Sequence, residues 1–507
     1  MEVYILIDNK PQGPYPRELV RIHLKSGQLK AMDLAAYAGS SDWRPLAEMM
    51  QLWSDSPPAP SARQKTTLVI PTIVVLLLVA VGTGVWMMRN KPDLVAKVTA
   101  PEPDAVTQLE DDGYPKTLAE LDKWYVEPPE GQNAATYFFQ GGSAIQVTNE
   151  DLYSQSLPLI GKGTFPTAGL LPLDERKAIA NFVLKNEPAW KILQQGSPFE
   201  HARYAVKWTN GWNALFYHPA KLSLAVQLGA LRTVLFAANK QPQQVADTFV
   251  VSLAVAQSLK DEPAIVSQDT RSALFAIQKE TLEFTFSAVA VSSADLDRLA
   301  AALVKVEAQD SEGEPWTRAF VGSRVMSLSF FDLPPDKLKR EIEEIQSFNV
   351  EGWTNKTPSQ LMANLPAQRA FMMETFAHTL ELRKEPFPQR LKIEEYWKFR
   401  DAEATNRQFY LSEAWFFNSE NLSRREATGL ANVRLMQTAV ALEQFRRANR
   451  KYPDSLAELA PKFLAEAPVD PFNGEPLFYM KTSGYELLCR GKIGAPVQFR
   501  VEVPAKL

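Results

Sequence analysis

Between residues 117 and 450 apolar residues recur at helical spacing, and the chain there reads as a series of helices. Thr117-Leu118-Ala119-Glu120 has the spacing of a capping box, and Leu118, Leu121, Trp124 and Tyr125 give the stripe behind it. Residues 174–195 carry Ile179, Phe182, Val183, Leu184, Trp190 and Leu193, with an interruption near Pro188. Residues 220–238 and 245–259 are apolar almost all round. Arg232 and Asp247 within them, and their short uncharged stretches, predict buried core helices rather than membrane spans. Residues 264–289, 293–306, 335–348, 359–382 and 403–417 continue the series. Breaks at Asp261-Glu262-Pro263, Gly313-Glu314-Pro315 and Leu333-Pro334-Pro335 predict antiparallel helical hairpins. No internal repeat period stands out.

The two ends have a different texture. Val3 to Ile7 forms a β-rich run, stopped by Asp8-Asn9-Lys10-Pro11 and followed by Gly13-Pro14-Tyr15. Leu19, Val20, Ile22 and Leu24 predict a short helix closed by Gly27. Leu34 with Ala36-Tyr37 suggests another strand, and Trp43-Arg44-Pro45-Leu46 closes this small unit. Residues 54–65 are a Pro-rich linker containing Pro57-Pro58-Ala59-Pro60, a stiff spacer. At the other end, residues 424–450 predict a long helix ended by Tyr452-Pro453. A short helix at 455–464 follows, then a dense turn at Asp470-Pro471-Phe472-Asn473-Gly474. Residues 477–480, 485–489 and 497–503 read as a small antiparallel sheet.

One segment departs from the rest. Residues 66–88 are 23 consecutive positions without a charge. At helical rise they extend about 35 Å, enough to span a bilayer with some tilt. Pro71 lies in the first turns, where a missing N–H does least harm, and Trp86 lies near the far end, where an amphipathic ring suits the headgroup layer. A cleaved signal peptide would not follow some 65 structured-looking residues. Residues 89–116, with Pro92, Pro101, Pro103 and Pro115 among acidic residues, predict an extended stalk.

Composition narrows the chemistry. The 507 residues are 45% hydrophobic and 22% charged, with net charge −4, an ordinary globular balance that offers no basic face to nucleic acid. A single cysteine, Cys489, excludes an intrachain disulfide. The four histidines, His23, His201, His218 and His378, have no metal-ligand spacing, so no zinc site is expected. No phosphate loop, nucleophile elbow or metalloprotease motif is present. Glu341, Glu343 and Glu344 have the spacing of a solvated helix face.

Residues 2–53 resemble the GYF domain 2 family. The resemblance rests on Tyr4-Ile5, Gly13-Pro14-Tyr15, Glu18-Leu19, Gly27-Gln28-Leu29 and Ser41-Asp42-Trp43-Arg44-Pro45-Leu46. Ala36-Tyr37-Ala38 stands nearest to the Gly-Tyr-Phe of better-known relatives. The resemblance implies a small α+β domain, and those relatives bind proline-rich peptides. Such a ligand is pre-ordered and packs on flat rings, which Tyr4, Tyr15 and Trp43 would supply. The same rings are equally what a domain of this size needs for its mini-core. More weakly, residues 424–503 resemble the C-terminal part of type II secretion pseudopilins. That resemblance rests on Tyr452-Pro453, Leu456 with Leu459, Asp470 to Pro476, and Gly484-Tyr485-Glu486-Leu487-Leu488 with Gly491. It implies a helix-plus-sheet fold in an extracytoplasmic setting, without assembly into a pseudopilus.

Charges flanking residues 66–88 are Arg63 and Lys65 on one side and Arg89, Lys91 and Lys97 on the other, close to a tie. Both resemblances place the N-terminus in the cytoplasm. The densest aromatic cluster is Tyr204, Trp208, Trp212, Phe216 and Tyr217, with His218. It reads either as core packing or, through Tyr204, Trp208 and Trp212, as a platform for a glycan or peptide.

The sequence thus predicts a mostly α protein. Its parts are a GYF-like α+β domain at 1–53, the linker at 54–65, one transmembrane helix at 66–88, the stalk at 89–116, a helical domain at 117–423 and a pseudopilin-like α+β unit at 424–507. It is expected in a bacterial inner membrane with the C-terminal part periplasmic. A protein partner would bind the N-terminal domain, and no catalytic residue, cofactor, metal or nucleic acid is expected. The alternative is an envelope hydrolase or glycan- or peptide-binding protein using residues 201–218.

Overall fold

A computed structural model describes residues 2–7, 10–16, 34–37, 44–46, 113–347, 356–417, 421–491 and 496–502. The predicted span at 66–88, the linker, the helix at 17–26, Trp43 and all but the last residues of the stalk lie outside them. The chain divides into two compact units, Met1–Ala100 and Pro101–Leu507.

The N-terminal unit contains a sheet of four strands, β1 (Glu2–Ile7), β2 (Lys10–Pro16), β3 (Leu34–Tyr37) and β4 (Arg44–Pro45), in the order β2-β1-β3-β4 with antiparallel neighbours. The sequence reading ended the first strand in a turn and left Gly13-Pro14-Tyr15 without an assignment. The structure instead makes this stretch a second strand. Three prolines are tolerable in β2 because it lies at the sheet edge, where one side needs no ladder N–H. Ala35, Ala36 and Leu46 are buried.

The larger unit is mostly helical. It runs through α1 (Leu118–Trp124), α2 (Ala134–Ala144), α3 (Asn149–Tyr153), α4 (Leu173–Lys185), α5 (Glu187–Gly196), α6 (His218–Ala238), α7 (Pro242–Gln257) and α8 (Ile265–Ala288). Then follow α9 (Ser293–Glu312), α10 (Glu314–Phe331), α11 (Pro335–Ser347), α12 (Pro358–Leu361), α13 (Leu365–Arg383), α14 (Lys392–Asn406), α15 (Tyr410–Phe417) and α16 (Leu422–Asn449). The capping box at the start of α1 forms as predicted, Glu120 N donating to Thr117 Oγ1 at 3.2 Å and Thr117 N to Glu120 Oε2 at 3.3 Å. The single helices expected at 359–382 and 403–417 are each broken. Pro366 sits at the second position of α13, where a proline is tolerated, and Asn364 and Gln408 adopt φ of 55° and 58°, which no helix interior allows. The short helix expected at 455–464 is a 3₁₀ turn, Leu456–Leu459.

Helix α6 is the one described helix long and apolar enough to cross a membrane. Yet 67% of its apolar window is buried inside the protein, as a core helix requires. It packs on α7 and α8, and its Arg232 pairs with Glu187 and lies 4.9 Å from the Trp190 ring centre. Helix α16 lies along α8 and α9. β5 (Phe478–Lys481), β6 (Tyr485–Cys489) and β7 (Val497–Val501) form an antiparallel sheet whose last strand packs on α8 and α16. Tyr485, Leu487, Cys489, Phe499 and Val501 belong to the same apolar cluster as Leu121 and Phe138. The C-terminal residues, drawn from sequence as a separate unit from 424, therefore share one core with the helices before them. Cys489 is buried there, and burial pushes its thiol pKa up. The turn at Asp470 closes on its own side chain. Oδ1 accepts from Phe472 N at 2.8 Å and Oδ2 from Gly491 N at 2.9 Å.

A second cluster, including Trp316, Phe320, Phe371, Phe376 and Trp397, joins α10, α13 and α14. A polar knot sits between it and α16. Glu426 accepts from Arg383 Nη1 at 2.9 Å and Nη2 at 3.1 Å, and from Arg390 Nη1 at 2.8 Å. All three residues are nearly inaccessible to solvent. The excess positive charge faces the C-terminus of α9, where Arg390 Nη2 donates to the carbonyls of Ser311 and Glu312 and Arg383 Nη2 to that of Gly313. Gly313 has φ 75°, and a Cβ there would lie 2.2 Å from Arg390 Nη1.

Replacing Glu426 by Gln keeps the shape but strips two buried guanidiniums of their counter-charge, a loss of about 3–5 kcal/mol. Urea unfolding followed by tryptophan fluorescence should show this as a markedly lower midpoint. A loss under about 1 kcal/mol would show that the knot is not what binds α9, α13 and α16.

Candidate functional site

Of the residues proposed for a proline-rich ligand, Tyr4 and Tyr15 are strand positions. Tyr15 on β2 is paired with Val3, and Tyr4 on β1 with Ala36, so the sheet brings their backbones one register step apart. Trp43 lies outside the described residues.

The aromatic region of 201–218 is an extended segment, a 3₁₀ turn (Trp208–Asn213) and the start of α6. Side chains from elsewhere hold the segment straight. Asn133, which caps α2 by accepting from Ala135 N at 3.1 Å, also accepts from Arg203 N at 2.9 Å and donates to Arg203 O at 3.0 Å. Tyr125 donates its hydroxyl to Ala202 O at 3.0 Å and accepts from Tyr204 N at 3.2 Å. Alternation along this pinned segment then sends Ala202, Tyr204 and Val206 inward, and all three are buried.

The proposed platform residues are thereby separated. Tyr204 is buried, stacked on His218 at 4.1 Å between ring centres, with its hydroxyl 2.6 Å from Ser258 Oγ. Trp208 is buried edge-on against Tyr125 and Phe216. Trp212 is 40% exposed and lies beside Phe330. Two of the three rings are thus core, and they form no flat surface with the third. Two other exposed aromatics are Tyr217, 68% exposed, and Phe139, 40% exposed. They flank a cleft of about 310 Å³ lined also by Glu127, Asn133, Thr136, Arg203, Ala205 and the edges of Tyr204 and His218.

Behind the cleft lies a buried polar group that the sequence reading missed. His218 Nε2 is 2.6 Å from Glu262 Oε2, which also accepts from Ser267 Oγ at 2.8 Å. Glu262 Oε1 has no hydrogen-bond partner among the described residues. Asp261-Glu262-Pro263 had the composition of a solvent-exposed turn. Nothing local signals that its middle carboxylate points inward, because the partner imidazole is 44 residues away. Burial, with the Glu262 charge behind it, holds the Tyr125 hydroxyl well above the usual phenol range, and burial does the same for Tyr204. Both rings act as neutral hydrogen-bonding groups. Ser267 bonds the carboxylate rather than the imidazole, so the three residues do not form a nucleophile with its base.

At the rim, Arg203 donates to Asp122 O at 2.8 Å and Oδ1 at 2.7 Å, and lies 3.0 Å from Glu127 Oε2. Exposed His201 is 3.4 Å from Asp261. Burial raises the Asp261 pKa, but its pairing with the Lys260 ammonium outweighs this and holds the carboxyl below its usual range. Among the described residues no group of three His, Cys, Asp or Glu side chains is placed to hold a metal ion. No protein-family model, no curated protein and no solved structure matches the chain.

The division between core and surface rings is measurable. Trp208→Ala should cost about 3–5 kcal/mol in urea unfolding, because it empties a packed site. Trp212→Ala should cost under about 1 kcal/mol. Equal losses would contradict the placement of these rings.

Proposed function

We propose that the chain is a single-pass membrane protein that engages a protein partner through its N-terminal domain and carries a helical scaffold across the membrane, binding rather than catalysing. The observation that carries this reading is the 23-residue uncharged segment at 66–88, which stands ahead of the compact unit Pro101–Leu507. The resemblance of residues 2–53 to the GYF domain 2 family supports a protein partner with proline-rich segments. The resemblance near the C-terminus supports a periplasmic setting on a bacterial inner membrane. A reporter active only outside the cytoplasm should be active when fused after Leu507 and silent after Trp53. The reverse pattern would overturn the orientation, and silence at both positions would overturn the span.

Binding by the N-terminal domain is expected to be weak, since so small a groove buries little area. Calorimetric titration of the detergent-solubilised chain with a Pro-Pro-x-Pro peptide should give a Kd in the micromolar range or above. No heat at millimolar peptide would remove the proline-rich ligand from this proposal.

A second reading, an envelope protein that binds or hydrolyses a glycan or peptide, is favoured by the cleft of about 310 Å³ beside Tyr217. Its exposed aromatic lining is Tyr217 and Phe139, with the buried Tyr204 also in the lining.

A further inference from the structure

We propose that the loop at 212–217 rests on the lipid–water interface of the bilayer that the chain spans. The inference depends on the first reading above, a span at 66–88, and gives the helical unit a membrane contact of its own.

Three large apolar side chains stand out from this one short stretch. Trp212 is 40% exposed, Leu215 58% and Tyr217 68%. The backbone sets the last two. Ala214 begins an extended run, and alternation turns Ala214 and Phe216 inward, the first buried and the second packed on the core. Leu215 and Tyr217 are thereby turned outward. The base of the loop is held in place. A Cβ at Gly211 would lie 2.6 Å from Ser329 Oγ, so the turn is seated closely on α10. Asn213 Nδ2 donates to Glu341 Oε2 on α11 at 2.6 Å, and Trp212 lies beside Phe330. Apolar side chains gathered on a fixed projection mark a surface that is covered in use. Rings with an apolar body and a polar edge suit the headgroup layer.

The entry point of the chain names the cover. Arg324 Nη2 donates to Pro115 O at 3.1 Å, which fixes where the connection from the N-terminal side joins the helical unit. Leu118 follows three residues later, about 10 Å away at most, and its Cδ1 would lie 3.2 Å from a Cβ at Gly211. The base of the loop and the entry of the chain are therefore close together. Residues 89–114, 26 in number, separate the span from Pro115. Such a length reaches about 30 Å as a coil and about 80 Å fully drawn out. The bilayer thus stays within reach of this side of the unit, at a raised effective concentration. Charge does not choose the lipid. Lys123 and Lys207 are exposed on the segments beside the loop, but so are Glu120 and Glu127. A neutral bilayer should serve as well as an anionic one.

The test uses the full chain in phosphatidylcholine nanodiscs. Leu215→Cys and, as reference, Leu184→Cys each carry a nitrobenzoxadiazole label. Leu184 is 75% exposed, and nearby Glu187 pairs with Arg232, 14 residues along α6 from His218 and about 21 Å from that end. Cys489 is buried, and the unsubstituted chain serves as the labelling blank. Lipids bearing a doxyl group near the headgroup should quench the label at 215 at least about twofold and leave that at 184 nearly unchanged. Adding anionic phosphatidylglycerol should not alter this ratio. Tyr217→Asp, an exposed position where unchanged circular dichroism would show that the fold is kept, should lower the quenching at 215 about fivefold. Equal quenching at the two positions, or none at either, overturns the inference. Quenching that requires anionic lipid overturns the apolar contact. An unquenched label at 215 with blue-shifted emission reports a protein cover and overturns the membrane. A chain that alkaline carbonate strips from membranes overturns the span and this inference together, whereas a retained chain with no quenching at 215 overturns this inference alone.

Discussion

The larger unit depends on one carboxylate. Glu426 lies between Arg383 and Arg390, away from water, and accepts from both. A buried ion pair contributes little net stability when each charge has lost its hydration, but removing one partner is costly. Here the imbalance of two cations to one anion is met by the carbonyl end of α9, a partial negative charge that the fold supplies without another side chain. The arrangement therefore works only if α9 ends where it does, with Gly313 in the left-handed region. Arg271, bonded to Asp310 at 2.7 Å, grips the same helix end from α8. Three arginines from three parts of the chain thus converge on one terminus.

Much of this fold was legible because helices and strands announce themselves locally. The box at Thr117 and Glu120 formed as read, α6 and α7 proved to be core helices as Arg232 and Asp247 implied, and β6 covers the residues expected of it. What was not legible depends on partners far along the chain. Strand β2 escaped because its prolines argue against a strand unless its edge position is known. The divisions at Asn364 and Gln408 escaped because neither residue is a glycine. Helix α16 looked like the start of a separate unit, since nothing in its own pattern says that its apolar face meets α8 and α9.

The candidate site shows the same division more sharply. The aromatic cluster was visible as composition, but which rings face water was not. That is decided by Asn133 and Tyr125, which pin the extended segment 201–207 and fix its alternation. With Tyr204 and Trp208 turned inward, the ring of this cluster presented at the cleft, beside Phe139 from α2, is Tyr217, a neighbour the pattern did not favour. Glu262 was hidden for a related reason: a carboxylate between an aspartate and a proline reads as solvent-facing unless its imidazole and hydroxyl partners are known.

The burial of Cys489 has a consequence for where such a chain can mature. Thiol–disulfide exchange runs through the thiolate and needs access to the sulfur. Inside the core beside β7, Cys489 has neither, so oxidants and mixed disulfides meet an inert group once folding is complete. The hazard is confined to the interval before β5, β6 and β7 close over it. In a thiol-oxidising compartment the order of events, sheet closure before oxidation, decides whether two copies end up covalently joined.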